Sequence, residues 1–246
     1  KFMAYILLKA AKLLNKIPKR QFCSMVILAA GSSVRMGTDK LTADINGRPA
    51  IAWTLATMQD CSVIDEIVIV ARHDRLDEMS KICKKYGIEK ATKVVAGGKT
   101  RIESAWLGVN AVSERARYTG IHDGARPLAS VDLVKSVIEL AKKTGAAVAA
   151  IPESDTVRRA ELGVLTEQID RRGIFKIQTP QVFASEIVRA AIFAALEKGD
   201  DFTDDSAAVQ AMGMNVHIAP GSAKNIKLTT AEDLDIARAL LGGRLC

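Results

Sequence analysis

From residue 25 onward, short apolar β-leaning runs alternate with helix-patterned runs, and few chain folds accept that rhythm. Strands are expected at 24–30, 66–71, 92–97, 119–124 and 146–152, with helices at 49–60, 73–87, 100–116 and 130–145 between them. Punctuation supports the pattern: Pro49 suits a first helical turn, Gly87 and Gly145 suit helix ends, and Ser130 suits an N-cap. Alternating β and α units joined by right-handed crossovers give an α/β fold, a Rossmann-like doubly wound, mostly parallel sheet. The residue content agrees. Hydrophobic residues make up 48% but aromatics only 4%, so the core is built of Ala, Val, Ile and Leu, as a sheet buried on both faces requires.

The rhythm breaks at 153–180. Two polar, β-leaning runs flank Leu162-Gly163, which predicts an extended hairpin. A hairpin this polar buries little by itself, so it is expected to pack on another subunit. Helical patterns return at 185–198, 203–212 and 230–241, with a strand at 214–219.

The formal charge of +7 suggests a nucleic-acid partner until its location is considered. Residues 1–24 hold Lys1, Lys9, Lys12, Lys16, Lys19 and Arg20 and no acid, leaving 29 basic against 28 acidic residues elsewhere. The main body therefore lacks the basic excess of a nucleic-acid binder. Residues 1–24 read as a basic amphipathic extension, or as a segment ahead of a start near Met25; weak contact with a membrane surface is the alternative. Lys9 and Lys12 interrupt the apolar run, which argues against a signal peptide, and no run of about 18 apolar residues predicts a membrane span. Cys23, Cys61, Cys83 and Cys246 show no CxxC spacing and do not cluster with His73, His122 or His217. Free thiols in a reducing cytoplasm are expected rather than a zinc site or a disulfide framework.

Three segments at expected strand ends carry chemistry. The first is Ala29-Ala30-Gly31-Ser32-Ser33-Val34-Arg35-Met36-Gly37, with Lys40 after it. Small residues let backbone N–H groups approach phosphate oxygens, and Arg35 and Lys40 can neutralise a triphosphate. The run is not GxGxxG. Nor is there a Walker loop at Gly98-Lys99-Thr100, whose upstream glycine position holds Lys93. The second segment runs from Gly97-Gly98-Lys99 to Ser104; two glycines leave room for a flat base, and Arg101 and Ser104 share a helical face. The third is Ile121-His122-Asp123-Gly124-Ala125-Arg126-Pro127.

In order along the chain, these segments resemble those of the 2-C-methyl-D-erythritol 4-phosphate cytidylyltransferase family. The first is similar to the loop of sugar-nucleotide and related nucleotidyltransferases, and the next two to GGxxRxxS and HDxARP. Asp155-Thr156, Asp170-Arg171, Gln178-Thr179-Pro180-Gln181, Thr203-Asp204-Asp205-Ser206 and Asn225-Ile226-Lys227-Leu228-Thr229 match further family segments. The resemblance spans residues 25–241. It implies an enzyme of non-mevalonate isoprenoid biosynthesis that transfers CMP from CTP to 2-C-methyl-D-erythritol 4-phosphate and releases pyrophosphate. The division implied is an extension at 1–24 and a nucleotidyltransferase domain at 25–246, with a dimerisation arm at about 153–178. The catalytic cations would be Arg35, Lys40 and Lys227. Ala29, Ala30, Gly31, Ser32, Gly97, Gly98, Arg101, Ser104 and Asp123 would bind the nucleotide. Asp123 would also hold Mg²⁺. Asp123, Arg126, Thr156, Arg171, Thr179 and Thr203 would bind the polyol phosphate, with Thr156 and Arg171 reaching across a homodimer.

His122 is not expected to act as a base, because an attacking phosphate needs none at neutral pH. A core or loop role suits it. The short run Arg35-Met36-Gly37-Thr38-Asp39-Lys40 also resembles nucleotidyltransferases of the molybdenum cofactor, and ribitol 5-phosphate cytidylyltransferases share much of the pattern. A nicotinamide-dependent oxidoreductase would need the GxGxxG that is missing. A non-catalytic nucleotide sensor would not need Arg35, Lys40, Asp123 and Lys227 together.

Overall fold

The computed structural model describes residues 21–31, 39–200 and 202–242. Its centre is a seven-stranded sheet. In chain order the strands of this sheet are β1 (Cys23–Ala29), β4 (Glu66–Ala71), β5 (Ala91–Ala96), β6 (Tyr118–Asp123), β7 (Ala146–Pro152), β10 (Phe175–Ala184) and β11 (His217–Pro220). Their spatial order is β11-β7-β10-β6-β1-β4-β5. Only β10 runs against its neighbours, antiparallel to both β6 and β7. The chain leaves β1 towards β4 and β5 and then returns to β6 on the other side. Strand order thus reverses between β1 and β6, where open α/β sheets bind ligands beyond the carboxyl ends of the strands.

Residues of these strands alternate between two cores. Met25, Ile27, Ile67 and Ile69 face helices α1 (Ala50–Asp60), α2 (Leu76–Lys85), α4 (Val131–Thr144) and α7 (Ala231–Gly242). Val26, Val68 and Val70 face α3 (Arg101–Ala111), α5 (Ser185–Lys198) and α6 (Asp205–Ala211). That is a three-layer α/β/α packing, with the near-continuous apolar strands that burial on both faces demands. Helix ends follow local chemistry. Ser130 accepts from Leu133 N–H to cap α4, and Gly145, at φ 88°, ends it in a left-handed turn. Thr100 and Glu103 form a capping box on α3.

Several boundaries differ from expectation, each for a visible reason. Helix α3 stops at Ala111 instead of running to 116, because Val112 turns extended and Ser113 N–H donates to the buried carboxylate of Glu66. Pro49 sits at the N-cap of α1 rather than in its first turn, and it belongs to a small ribbon of β2 (Asp44–Ile45) and β3 (Arg48–Pro49) that the pattern did not suggest. Residues 73–75 form a 3₁₀ turn ahead of α2. The hairpin is present as β8 (Val157–Glu161) and β9 (Val164–Ile169), and its two-residue turn has Leu162 and Gly163 both at positive φ. Strand β10 is the larger surprise. Its polar Gln178-Thr179-Pro180-Gln181 stretch is buried in the sheet, with a register irregularity between Ile177 and Gln181.

Cys23, Cys61 and Cys83 are free and buried, and burial pushes the Cys23 thiol up to about 12 and the Cys83 thiol up to about 11. Among the described residues no helix is long and apolar enough to cross a membrane. The extension at 1–20 lies outside the described residues, as do Ser32 and Arg35.

Candidate active site

A cleft of about 380 Å³ opens at the carboxyl ends of β1 and β6, lined by Ala29, Ala30, Gly31, Lys40, Gly98, Arg101, Ser104, Asp123 and Lys227 among others. That volume suits a small ligand.

One wall is a loop held to the end of β4 and packed close against the residue that follows β1. Gly97 N–H donates to Ala71 C=O at 2.8 Å. A Cβ on Gly97 would stand 2.5 Å from Ala30 Cβ and 2.9 Å from Ser104 Oγ, so only glycine permits this approach. Ser104 Oγ accepts from Gly98 N–H at 3.1 Å and donates to Thr100 C=O at 3.0 Å. Its hydroxyl is therefore engaged in shaping the loop. Lys99 and Leu41 also line the cleft and were not singled out from the sequence. Lys99 lay inside a quoted motif as an unassigned position.

Opposite stands Asp123, the last residue of β6. Lys227 Nζ lies 3.0 Å and Arg126 Nε 3.4 Å from the same oxygen, Oδ2. Burial alone would raise the Asp123 pKa, but the charges of Lys227, Arg101 and Arg126 outweigh it and hold the carboxyl well below its ordinary range. Oδ1 has no protein partner among the described residues. One carboxylate oxygen left over beside a cation-rich cleft fits a magnesium ion that takes its other ligands from phosphate and water. No group of three or more metal-ligating side chains exists among the described residues, so an all-protein cage is not available.

A buried network sets the Lys227 loop in place. Arg126 Nη1 donates to Asn225 C=O at 2.7 Å, and Leu228 N–H donates to Ala125 C=O at 2.8 Å. Asn225 Nδ2 donates to Thr179 C=O at 2.9 Å, and Gln178 Nε2 donates to Ser222 C=O at 2.8 Å. Thr179 Oγ1 accepts from Asp123 N–H at 3.1 Å and shares a 3.1 Å hydrogen bond with His122 Nδ1. His122 is fully buried, and burial pushes its pKa down to about 4, so the ring is neutral. Gln178 and Asn225 are therefore site-building residues. Both stood in quoted motifs, but nothing in a polar side chain's identity announces that it is buried.

The remaining candidates lie elsewhere. Thr156 and Arg171 line a second groove at the base of the hairpin, and neither lines the cleft. Arg171 donates to Ser154 C=O. Thr203 is exposed, just before Asp204, which caps α6 by accepting from Ala207 N–H. Arg126 and Thr179 are buried behind Asp123.

A cation-rich cleft at the strand-order reversal of a doubly wound sheet defines a nucleotide-binding α/β protein. Comparison with known proteins narrows this class. The family model described as 2-C-methyl-D-erythritol 4-phosphate cytidylyltransferase matches residues 23–243, and the chain belongs to that family. A relative of that name from Halalkalibacterium halodurans is 39% identical over 220 residues, covering 89% of this chain and 96% of the relative. The crystal structure of 4-diphosphocytidyl-2C-methyl-D-erythritol synthase from Anaerococcus prevotii superposes with a TM-score of 0.80 at 31% identity, covering 90% of this chain and 99% of that one. The 2-C-methyl-D-erythritol 4-phosphate cytidylyltransferase of Thermus thermophilus gives 0.75 at 30% identity, covering 88% and 98%.

Proposed function

We propose that the chain transfers CMP from CTP to 2-C-methyl-D-erythritol 4-phosphate in non-mevalonate isoprenoid biosynthesis, through the cleft between β1 and β6. The observation that carries the reading is convergence: Lys40, Arg101, Asp123 and Lys227, from four distant parts of the chain, line one cavity. The acceptor's phosphate oxygen forms a bond to the α-phosphorus of CTP as the bond to pyrophosphate breaks. A phosphate monoester is already largely ionised at neutral pH, so no base is needed, in keeping with a neutral, buried His122. Catalysis rests on positioning and on cations that meet charge as it develops.

Lys40 and Arg35 grip the triphosphate, and Lys227 serves the reacting phosphates. Ala29, Ala30, Gly31, Ser32, Gly97, Gly98, Arg101 and Ser104 take the cytidine side. Asp123 would hold a magnesium ion, which would supply further charge neutralisation on the phosphates. Thr203 takes the acceptor side, and Arg126 and Thr179 serve it from behind by fixing Asp123 and the Lys227 loop. Residues 25–246 act as one catalytic domain whose arm, about 153–178, completes a homodimer and brings Thr156 and Arg171 to the acceptor of the neighbouring copy. Exposed Leu162, Val164 and Leu165 on an otherwise polar hairpin support that arrangement. Buried free thiols suit the cytoplasm.

The test is pyrophosphate release with CTP and a panel of polyol phosphates, with phosphorus NMR of the product. Release with 2-C-methyl-D-erythritol 4-phosphate and a diphosphate-linked product is expected, and Lys40→Ala should fold yet lose turnover. Preference for ribitol 5-phosphate, or no release with any acceptor, would overturn the assignment.

A further inference from the structure

One buried ion pair stands beside this chemistry without a part in it so far. Arg101, the first residue of α3, meets Asp205, the first residue of α6, through both terminal nitrogens: Nη1 to Oδ1 at 3.0 Å and Nη2 to Oδ2 at 2.7 Å. The Asp205 side chain is 1% exposed, whereas that of Arg101 is 28% exposed and lines the cleft. Asp205 is itself fixed, because Ser206 N–H donates to Gln181 Oε1 on β10 at 2.9 Å and Asp204 caps the same helix. A bidentate fork of this kind sets the guanidinium plane as well as its position.

The consequence is one of charge placement. The cleft already offers Lys40, Lys99 and Lys227 to phosphate oxygens. A free Arg101 would be one cation more, able to close on the pyrophosphate moiety in substrate and product alike. Binding of that uniform kind tightens the ground state without lowering the barrier. With both terminal nitrogens occupied by Asp205, Arg101 is denied that reach. Its charge still acts on Asp123.

We propose that Asp205 is a positioning residue, which withholds the Arg101 guanidinium from the pyrophosphate end of the cleft and locks the start of α3 to the start of α6. This rests on the cytidylyltransferase reading. It adds that the nucleotide-side helix and the helix following Thr203 on the acceptor side are set as one unit by a single ion pair.

Inorganic pyrophosphate, titrated calorimetrically into Asp205→Asn, is the probe. Loss of a buried structural contact alone would weaken binding. Release of Arg101 should instead tighten it by about fivefold, a change within reach of one unpaired charge near the cleft, while kcat falls at least about tenfold. Asp205→Glu keeps the charge and should keep wild-type pyrophosphate affinity. Unchanged or weaker pyrophosphate binding by folded Asp205→Asn overturns the proposal. Should that variant fail to fold, Arg101→Lys decides: it keeps the charge but loses the fork. Expected there is tighter pyrophosphate binding with a lower kcat and a changed CTP KM, and wild-type pyrophosphate affinity with wild-type kinetics would overturn the proposal. Wild-type enzyme that releases no pyrophosphate in the acceptor panel sinks the functional reading instead, so the two failures are distinct.

Discussion

Lys227 Nζ lies 3.0 Å from Asp123 Oδ2, joining a loop near the end of the chain to the tip of a central strand. Lys227 is 40% exposed on its side chain, so its ion pair contributes little to stability, and its value lies in the charge it presents to the cleft. Lys227→Met keeps the stem and removes the charge. A loss of about a hundredfold in kcat, roughly 3 kcal/mol of transition-state stabilisation, is expected with a melting temperature within a few degrees of wild type. Steady-state pyrophosphate release and a thermal melt check both halves, and a kcat within threefold of wild type refutes the role.

His122 makes a separate prediction about pH. Its folded pKa of about 4 lies below its ordinary value of 6.5 because burial disfavours the charged ring. As pH falls, the unfolded chain takes up this proton first, so stability is fully present above about pH 6.5 and is lost as pH approaches 4. A shift of this size corresponds to about 3 kcal/mol. Asp123 is also depressed, but its contribution is lost only at lower pH, below the ordinary carboxylate value. Urea unfolding in EDTA between pH 7 and 4.5 should show a decline in wild type that His122→Asn lacks. Parallel pH profiles for the two proteins would show that the ring does not titrate this way.

Gly97 tests whether the loop that packs against Ala30, just past β1, serves the nucleotide. A methyl group there meets Ala30 Cβ at 2.5 Å and Ser104 Oγ at 2.9 Å, and the Ala30 methyl cannot retreat without moving backbone. Gly97→Ala should cost about 1–3 kcal/mol of stability and raise the CTP KM well beyond any change in acceptor KM. Denaturant titration and two-substrate kinetics measure both. Equal effects on the two KM values would place the loop outside the nucleotide side.

The contrast between β4 and β10 shows what the sequence could disclose. Glu66–Ala71 is buried at every position and reads at once as an interior strand. Gln178-Thr179-Pro180-Gln181 is also buried, yet Gln178-Thr179-Pro180 falls within the stretch that reads as a polar hairpin with little to bury, because its polar groups are satisfied by partners far away in the chain: Ser222, Asn225, Asp123 and Ser206. Ordered motifs point to Lys40, Gly98, Arg101, Ser104, Asp123 and Lys227, and the fold brings these to one cleft. Asp205 remained hidden for a different reason. Beside Asp204 it looks like part of a helix cap, and only the folded chain reveals that it is buried against Arg101. Local chemistry is legible in a sequence, whereas long-range satisfaction of buried polar groups is not.

Thr156 and Arg171 line a groove on the hairpin and not the cleft, so their proposed service to a neighbouring copy is open to a strict test. In a two-fold dimer each site would combine the body of one chain with the arm of the other. Lys40→Ala disables a body and Arg171→Ala disables an arm, and each homodimer should be nearly inactive at limiting acceptor. In a mixed dimer, one site collects both defects and the other collects none. Refolding the two variants together in equal amounts makes half the dimers mixed, so about a quarter of all sites should regain wild-type behaviour. An arm that served its own body would leave a defect in every site and give no recovery. Pyrophosphate release from the mixture, against each variant alone, separates the two arrangements. Val164→Asp with Leu165→Asp, placing charges on side chains that are 66% and 60% exposed in the single chain, should abolish dimer formation in light scattering and with it the recovery.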